Sequence, residues 1–417
     1  AALAGQAARL LHHVTEHPHL DPVHIGSALA RTRTPMEHRA TITATTTGEL
    51  HHGLTALTTG TPHPALTGPH TPHPNPRTAF LYTGQGTQRP GMGHGLHQHH
   101  PVFTHHLDTV IEALQPHLEH PLRDIMFATP GTPEAHLLDQ TQWAQPALFA
   151  LGTALHHTLT HHGLTPHTLT GHSLGEITAA HLAGILTLTD AATLITARGR
   201  LMQQAPAGGL MIAVQAREED ITPDLQEHPH HISLAAVNGP TSLVVSGDRT
   251  TLETLNTQWR ARGHKTRTLH VSHAFHSPHM DPILDEFHQI ASTLTYHQPH
   301  TPLISTLTGK PATPDDHTTP DYWTRQLRQT VRFHDALTTL HHQHHTHYTD
   351  IGPDHTLTTL TTETHPTNPP TTLTPLRKNQ PETHTLTHTL TTAHHTGTPT
   401  NLTTLHPHTP PPNTPTP

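Results

Sequence analysis

One serine lies between two glycines in the sequence Gly-His-Ser-Leu-Gly at residues 171–175. Glycines at these two places let a strand and the following helix approach closely at a sharp turn, which exposes the serine hydroxyl and leaves the next backbone N–H free to hold an oxyanion. Apolar residues before the motif and a helical pattern after it place it at such a turn. Ser173 is therefore the candidate nucleophile, although the pattern alone is equally typical of an ordinary strand-to-helix connection.

The composition bounds the classes of function. A chain of 417 residues can hold two or three domains with a substantial core. Its formal net charge of −9, without any basic run, argues against nucleic-acid binding. No apolar stretch is long enough to cross a membrane, and the absence of cysteine excludes a thiol nucleophile and fits a reducing cytoplasm. Because the chain does not begin with Met, we expect a piece of a longer polypeptide.

The 53 histidines, in clusters such as residues 341–347, invite a metal-binding interpretation. Histidine, threonine and proline are spread through every segment, however, so a compositional bias explains them better than a metal site. A dinucleotide fingerprint is also excluded in the glycine-rich loop at residues 83–93, because Arg89 stands where the third glycine is required. We therefore expect no metal and no bound cofactor.

The order of predicted elements indicates an α/β protein with an insertion. Alternating strand and helix patterns at residues 78–207 and 273–370 predict one large domain with a parallel sheet. Between them, residues 208–272 follow the order β-α-β-β-α-β, which is the ferredoxin-like arrangement.

Smaller segments flank this large domain of residues 78–370. Residues 1–77 indicate a small N-terminal α/β domain, in which residues 61–77 are dense in Pro, His and Gly and are typical of a connection. Residues 371–417 predict one strand and one helix, followed after Leu405 by a Pro- and Thr-rich end that we expect to be disordered.

Two charged or titratable side chains stand out by position. Arg198 lies four residues after Leu194 and seven after Ala191 on the apolar stripe of a predicted helix, so it should face inward. A buried guanidinium needs a partner, either a structural acid or an anionic ligand such as a carboxylate. His276 follows the insertion directly and can meet Ser173 across a cleft between the two parts.

Together these motifs resemble the acyltransferase domain of modular type I polyketide synthases, which is related to malonyl-CoA:acyl-carrier-protein transacylases. The resemblance rests on the serine motif, on Arg198, and on segments at residues 83–93, 236–247, 273–276 and 322–333. It extends to the flanks, where residues 1–77 resemble the linker after a ketosynthase and residues 371–417 the linker after an acyltransferase. The resemblance implies an α/β-hydrolase-like large domain that carries the ferredoxin-like subdomain.

Roles follow from this resemblance position by position. Ser173 would be the nucleophile and His276 the general base that takes its proton. Gln85 and the backbone N–H of Leu174 would line the oxyanion hole. Arg198 would bind the free carboxylate of a malonyl group, which would answer the question of its buried charge.

The resemblance also points to residues around the histidine. Gln326 would orient His276 through a carbonyl group, at a position where many family members have Asn. The sequence His-Ala-Phe-His accompanies malonyl selectivity in this family, whereas Tyr-Ala-Ser-His accompanies methylmalonyl selectivity, so His273 and Phe275 are candidate substrate-binding residues. A phenylalanine here would fill the space of an α-methyl group, a difference worth about 1–3 kcal/mol.

The implied activity is ping-pong transfer from malonyl-CoA, through an ester on Ser173, to the phosphopantetheine thiol of an acyl carrier protein. The neighbouring ketosynthase would belong to the same polypeptide. Three alternatives stay open. The transferase could select another acyl-CoA such as methylmalonyl-CoA; a serine hydrolase could use Asp350 and His355 as its acid and base; or the chain could be a non-catalytic docking segment.

Overall fold

The N-terminal part forms a small unit with its own core. A computed structural model describes residues 2–269, 271–313 and 315–405 of the chain. The first elements are α1 (Ala2–Glu16), α2 (Pro22–Thr32), β1 (Arg39–Ile42), α3 (Thr47–Thr59) and β2 (Leu66–His70). Thr46 and Glu49 start α3 with a reciprocal capping box. The unit packs around Ala7, Val14, Ile25, Leu50 and Leu54.

Strand β2 lies in the segment that the sequence predicted to be a connection. It pairs antiparallel with β1, with Ile42 opposite Leu66. The prediction was wrong for these residues, because tertiary pairing with β1 outweighs the turn preference of their glycine and proline.

The large domain is built on a parallel sheet. Its first half contains β3 (Thr78–Tyr82), α4 (His94–His99), α5 (Pro101–Leu114), α6 (Leu122–Met126), α7 (Pro133–Leu137), α8 (Thr141–His161), β4 (Thr168–Gly171), α9 (Gly175–Leu182) and α10 (Leu188–Gln204). Helix α8 accommodates Pro146 in its interior and is almost completely buried. Helix α10 begins after Thr187, whose hydroxyl accepts from the Asp190 N–H at 3.1 Å.

Residues after Gln204 form the smaller subdomain. Its elements are β5 (Gly209–Gln215), α11 (Glu218–Gln226), β6 (Ile232–Gly239), β7 (Ser242–Asp248), α12 (Arg249–Ala261) and β8 (Lys265–Thr268). The antiparallel sheet has the order β6-β7-β5-β8 and packs against a separate core that includes Trp259. The predicted ferredoxin-like insertion is therefore confirmed.

The chain then returns to the large domain. The elements are α13 (Leu284–Ala291), α14 (Pro320–Arg328), α15 (Phe333–His342), β9 (His347–Ile351), α16 (Thr356–Thr364), β10 (Thr371–Leu373) and α17 (Glu382–Thr396), with 3-10 helices at Gln115–His117, Pro278–Ile283 and Leu402–Leu405. Val331 joins the two parts, because it donates to the Ala235 carbonyl and accepts from the Val237 N–H, both at 2.9 Å.

The large sheet has the order β10-β9-β3-β4, and its pairings are parallel. Leu81 in β3 lies opposite Thr170 in β4 and Asp350 in β9. The carboxyl ends of these strands therefore meet at one edge, where ligands of open α/β sheets bind. The serine motif and the glycine-rich loop both leave the sheet at this edge.

The predicted boundary at residue 370 separates β10 from the sheet to which it belongs. Thr371 of β10 pairs with His347 of β9. Further along, the Glu382 carboxylate accepts hydrogen bonds from the N–H groups of Gly93 and Leu96 at the start of α4. The segment after residue 370 is thus part of the large domain as far as α17. The predicted disorder after Leu405 lies outside the described residues.

Candidate active site

The serine motif forms a strained turn between β4 and α9. Ser173 has a φ of 52°, in the left-handed region that non-glycine residues rarely adopt. A Cβ atom on Gly171 would lie 2.1 Å from the carbonyl carbon of Gly175, and one on Gly175 would lie 2.2 Å from the Tyr82 carbonyl oxygen. Both positions therefore require glycine, as expected for a nucleophile elbow.

The elbow brings the Ser173 hydroxyl to His276. The Oγ–H group donates to His276 Nε2 at 2.8 Å, while His276 Nδ1–H donates to the backbone carbonyl of Gln329 at 2.9 Å. The carbonyl fixes the tautomer that leaves Nε2 free to accept a proton. Ser173 and His276 are 103 residues apart in the chain, so only the fold brings them together.

The prediction that Gln326 orients His276 is wrong. The Gln326 amide nitrogen instead donates to the Ser173 carbonyl at 2.7 Å and to Glu176 Oε2 at 3.2 Å. The carbonyl that contacts the imidazole belongs to Gln329, at the end of α14. Any residue type can present a backbone carbonyl, so the sequence held no signal for this contact.

His276 is held neutral by its surroundings. Burial and, after it, the positive charge of Arg198 lower the pKa of His276 to about 3. A neutral imidazole with a free Nε2 lone pair can act as a general base across the physiological range.

Arg198 faces inward, as predicted, and is 1% exposed. Its Nη1 donates to Gln145 Oε1 at 2.8 Å, and its Nη2 donates to Ser173 Oγ at 3.0 Å. Burial lowers the pKa of Arg198 to about 9, against an opposing effect of the Glu176 charge. Among the described residues, Nε has no hydrogen-bond partner and no carboxylate forms an ion pair with this guanidinium. The side chain is therefore a buried cation whose Nε–H is available to a ligand.

The predicted oxyanion-hole residues lie beside the elbow. Leu174 begins the turn into α9, and the loop that carries Gln85 touches the elbow closely enough that a Cβ on Gly84 would lie 2.8 Å from His172 Nδ1. The Gln85 side chain is turned to other partners, because its amide nitrogen donates to Thr141 Oγ1 at 3.2 Å. The role of Gln85 in an oxyanion hole stays a prediction.

His273 and Phe275 lie in the buried segment that also carries His276. Their rings are 6.2 Å apart between centroids, and both side chains are buried. Phe275 belongs to the core of the large domain, and burial lowers the pKa of His273. Both residues precede His276 in the chain, but within the described residues no hydrogen bond joins the His273 ring to Ser173 or Arg198.

Three functional neighbours were not predicted. Gln145 on α8 accepts from Arg198, and Asn238 on β6 accepts from His172 Nε2 at 2.8 Å, which links the elbow to the smaller subdomain. Glu176 is buried one turn after the serine. Of these three, only Glu176 and Asn238 could have been found from the sequence, because Glu176 adjoins the motif and Asn238 lies in a segment of the resemblance.

The residues of the alternative hydrolase do not form a catalytic pair. His355 Nδ1 bonds Asp354 Oδ1 at 2.6 Å near the surface. Asp350 Oδ2 instead accepts from the N–H groups of Leu357 and Thr358 at the start of α16, and burial raises the pKa of Asp350 to about 8. Ser173 bonds His276, and neither Asp350 nor His355.

Across residues 2–269, 271–313 and 315–405, no group of three or more His, Asp or Glu side chains has a geometry that suits a metal ion. Within the same part of the chain, no helix combines the length and apolarity needed to span a bilayer.

The fold and the site define the class of α/β proteins that hold an elbow serine within hydrogen-bond reach of a histidine, which includes acyltransferases and hydrolases. Comparison with known proteins narrows this class. Residues 79–399 match the family described as the acyl transferase domain. The chain belongs to this family, as its motifs predicted.

Its relatives include large synthases. The chain is 42% identical over 339 residues to the spectinabilin polyketide synthase system protein NorB of Streptomyces orinoci, a match that covers 81% of this chain and 16% of NorB. The solved acyltransferase domain from the second module of the salinomycin polyketide synthase has a TM-score of 0.83 and 38% identity, over 96% of this chain and 92% of that one.

A more distant solved structure is malonyl-CoA:acyl carrier protein transacylase from Xanthomonas oryzae pv. oryzae. It has a TM-score of 0.66 and 27% identity, over 73% of this chain and 96% of that one. This chain thus shares its fold both with an acyltransferase domain of a synthase and with this transacylase.

Proposed function

We propose that this chain is the acyltransferase of a modular polyketide synthase, which takes a malonyl unit from malonyl-CoA onto Ser173 and passes it to the phosphopantetheine thiol of a cytoplasmic acyl carrier protein. The observation that carries the proposal is the environment of Ser173 Oγ, which lies 2.8 Å from His276 Nε2 and 3.0 Å from Arg198 Nη2. Ser173 Oγ thus has a base and a buried cation beside it. In malonyl-CoA, the thioester carbonyl would react with the serine activated by the base, and the free carboxylate would bind the cation.

The first half-reaction forms the ester. His276 Nε2 takes the Ser173 proton as Oγ attacks the thioester carbonyl carbon. The resulting oxyanion would accept hydrogen bonds from the backbone N–H groups of Leu174 and Gln85. When the tetrahedral intermediate collapses, the carbon–sulfur bond breaks and the imidazolium gives its proton to the CoA sulfur. Malonyl-serine remains.

The second half-reaction reverses these roles. The phosphopantetheine thiol gives its proton to His276 and its sulfur attacks the ester carbonyl carbon. Collapse breaks the bond to Ser173 Oγ, and His276 returns the proton to that oxygen. Atoms and protons balance without a metal or a bound cofactor.

Arg198 would bind the malonyl carboxylate. The guanidinium has a free Nε–H and exchanges its bond to Ser173 Oγ for bonds to the carboxylate, for which its planar fork is suited. An ion pair formed here would also neutralise the charge that lowers the pKa of His276. Substrate binding would therefore make the imidazole a stronger base at the moment when it is needed.

Selectivity for malonyl over methylmalonyl is assigned to Phe275, with His273 beside it. Replacing Phe275→Ser should lower the ratio of malonyl loading to methylmalonyl loading by about 10-fold or more, because a packing difference of this kind is worth about 1–3 kcal/mol. Competition between malonyl-, methylmalonyl- and acetyl-CoA for loading measures the ratio. An unchanged ratio in a folded variant would remove Phe275 from this role.

The serine hydrolase is the competing activity. A hydrolase would release the acyl group to water, whereas a transferase would hold it until a thiol arrives. Time-resolved mass spectrometry of the acyl-enzyme, with and without phosphopantetheinylated carrier protein, separates the two. We expect an ester that persists in buffer and disappears on addition of the carrier protein. Rapid loss in buffer alone would favour hydrolysis.

We also propose that the flanks connect the domain to its neighbours in the synthase. Residues 1–77 would follow a ketosynthase, and residues 371–417 would lead away from the acyltransferase. The aligned part of this chain corresponds to 16% of NorB, so in that relative it is one part of a longer protein. A docking segment without catalysis is disfavoured by the intact contact between Ser173 and His276.

A further inference from the structure

Strand β6 at the edge of the small sheet is paired with residues of the large domain. An edge strand presents N–H and C=O groups that a further segment can bond. Val331 uses this edge as a parallel bridge opposite Ala236. Thr330, one residue earlier, donates from Oγ1–H to the Leu234 carbonyl at 2.7 Å. The chain at residues 330–331 therefore extends the small sheet beyond β6.

Two arginines hold the same segment to the smaller subdomain. Arg328 Nη1 donates to Ser233 Oγ on β6 at 3.2 Å. Arg332 Nη1 donates to both carboxylate oxygens of Glu218 at the start of α11, at 2.8 and 3.0 Å. The segment is thus bonded to the smaller subdomain at both of its ends as well as in its middle.

Gln329 is the residue of this segment that serves the active site. Its carbonyl accepts from His276 Nδ1–H at 2.9 Å, and this bond sets the direction in which Nε2 faces. Helix α14 ends at Arg328, and Gln329 has extended backbone, with a φ of −90° and a ψ of 171°. Because its carbonyl lies outside the helix, the bonds that its neighbours make to β6 hold it in place.

The same strand contacts the nucleophile elbow. Asn238, near the end of β6, accepts from His172 Nε2 at 2.8 Å. His172 directly precedes Ser173 in the chain. One strand of the smaller subdomain is therefore bonded both to the residue before the nucleophile and to the segment that orients the base.

From these contacts, and resting on the proposed function, we propose that β6 sets the distance between Ser173 Oγ and His276 Nε2, with Thr330 as a positioning residue for the imidazole. The Thr330 hydroxyl fixes the adjoining Gln329 carbonyl against β6. Without it the carbonyl shifts, and the imidazole turns away from the serine. Proton transfer needs both atoms within hydrogen-bond reach, and a small displacement costs much of the rate.

The test uses Thr330→Val in the full chain, because valine keeps the branched shape of threonine and removes the hydroxyl. Single-turnover loading of Ser173 is measured over a range of malonyl-CoA and of acetyl-CoA concentrations. The same base serves both acyl groups. We therefore expect the saturating rate to fall roughly 10-fold for both, while the concentration that gives half of that rate stays unchanged. An unchanged saturating rate would overturn the inference, and so would a fall for malonyl-CoA alone.

Two further variants separate positioning from general stability. Thr330→Ser keeps the hydroxyl and should load both substrates at close to the wild-type rate. Thr104→Val is the matched control, because the Thr104 hydroxyl donates to the His97 carbonyl at 2.6 Å and joins α5 to α4. It should lower the urea midpoint as Thr330→Val does, yet load at the wild-type rate. Equal slowing of loading in Thr104→Val and Thr330→Val would contradict the inference.

A second variant applies if Thr330→Val does not fold. Ser233→Ala removes the contact of Arg328 to the same strand. It should slow the loading of both substrates by about 2-fold or more, because the Gln329 carbonyl loses part of its support. Wild-type rates in Ser233→Ala would then overturn the inference.

Failure of this inference differs from failure of the proposed function. If wild-type protein loads malonyl-CoA and Thr330→Val loads it equally fast, only the role of β6 is wrong. If wild-type protein loads neither acyl group, the proposed transfer itself is wrong.

Discussion

The Ser173 hydroxyl takes part in two hydrogen bonds of opposite sense. It donates to His276 and accepts from Arg198. The cation that would bind the substrate is therefore also the charge that weakens the base. Binding and proton transfer are coupled through one oxygen, and a single substitution at Arg198 should reveal this coupling.

Replacing Arg198→Ala should raise the pKa of His276, because the substitution removes a nearby positive charge that opposes protonation. A base must be neutral to act, so the acid limb of acetyl-CoA loading should move to higher pH. The variant should also lose its preference for malonyl-CoA while still loading acetyl-CoA.

The matched control is Arg200→Ala on the same helix. Arg200 pairs with Glu286 at the protein surface, away from the site. This control should keep the wild-type acid limb and the malonyl preference. If the acid limb of acetyl-CoA loading stays at its wild-type pH in Arg198→Ala, the proposed coupling is wrong.

At the scale of elements, the elbow depends on two glycines between β4 and α9. Replacing Gly171→Ala would force a methyl group to within 2.1 Å of the Gly175 backbone. We expect a loss of about 1–3 kcal/mol in the free energy of unfolding, since such overlap must be relieved by backbone shifts. Loading of Ser173 should fall with it, because the hydroxyl would leave the reach of His276.

Gly5→Ala serves as the comparison. Gly5 lies in α1, and a Cβ there would meet nothing within 4 Å. This change should be neutral or stabilise by up to about 1 kcal/mol, because alanine favours helix. Urea unfolding of both variants measures the difference. Equal stability for Gly171→Ala and wild type would refute the steric argument.

Elements that depend on local sequence spacing could be predicted, whereas contacts between distant parts of the chain could not. The elbow and the inward Arg198 depend on local spacing, and the order β-α-β-β-α-β is visible as periodicity. A strand was predicted in residues 371–417, but its place in the large sheet was not, because that place depends on the edge that β9 offers to the three residues of β10. The Gln329 carbonyl and the partner Gln145 arise from tertiary approach, for which a single sequence carries no local signal.

At the scale of the whole molecule, many histidines are buried and neutral. Burial lowers the pKa of His156 and of His162 to about 3, and those of His345, His347 and His395 to about 4. His156 bonds the Tyr82 hydroxyl at 2.7 Å, and His347 bonds Thr396 of α17 at 2.9 Å. These contacts hold the sheet to the helices around it, and α17 to the body of the domain.

Stability should therefore fall as the pH falls. The folded pKa of each of these histidines lies below the ordinary value of 6.5 that we assign to the unfolded chain. Between the two values the unfolded chain binds more protons, so this stability is present above pH 6.5 and is lost toward pH 3. Each histidine that titrates fully contributes about 1.4 kcal/mol per pH unit.

Urea unfolding at about pH 7.5 and about pH 5.5 measures this loss. The midpoint should be clearly lower at the acidic value. His162→Asn should weaken the pH dependence, because it removes a buried titrating group. A midpoint that is the same at both pH values would contradict the account of the buried histidines.

The most direct test of the central claim is the position of the acyl group after brief exposure to malonyl-CoA. Intact-protein mass spectrometry followed by peptide mapping should find one malonyl ester, on the peptide that contains Ser173, and none in Ser173→Ala. The ester should transfer to a phosphopantetheine thiol. Equal loading of Ser173→Ala, or an ester on a different residue, would contradict the account.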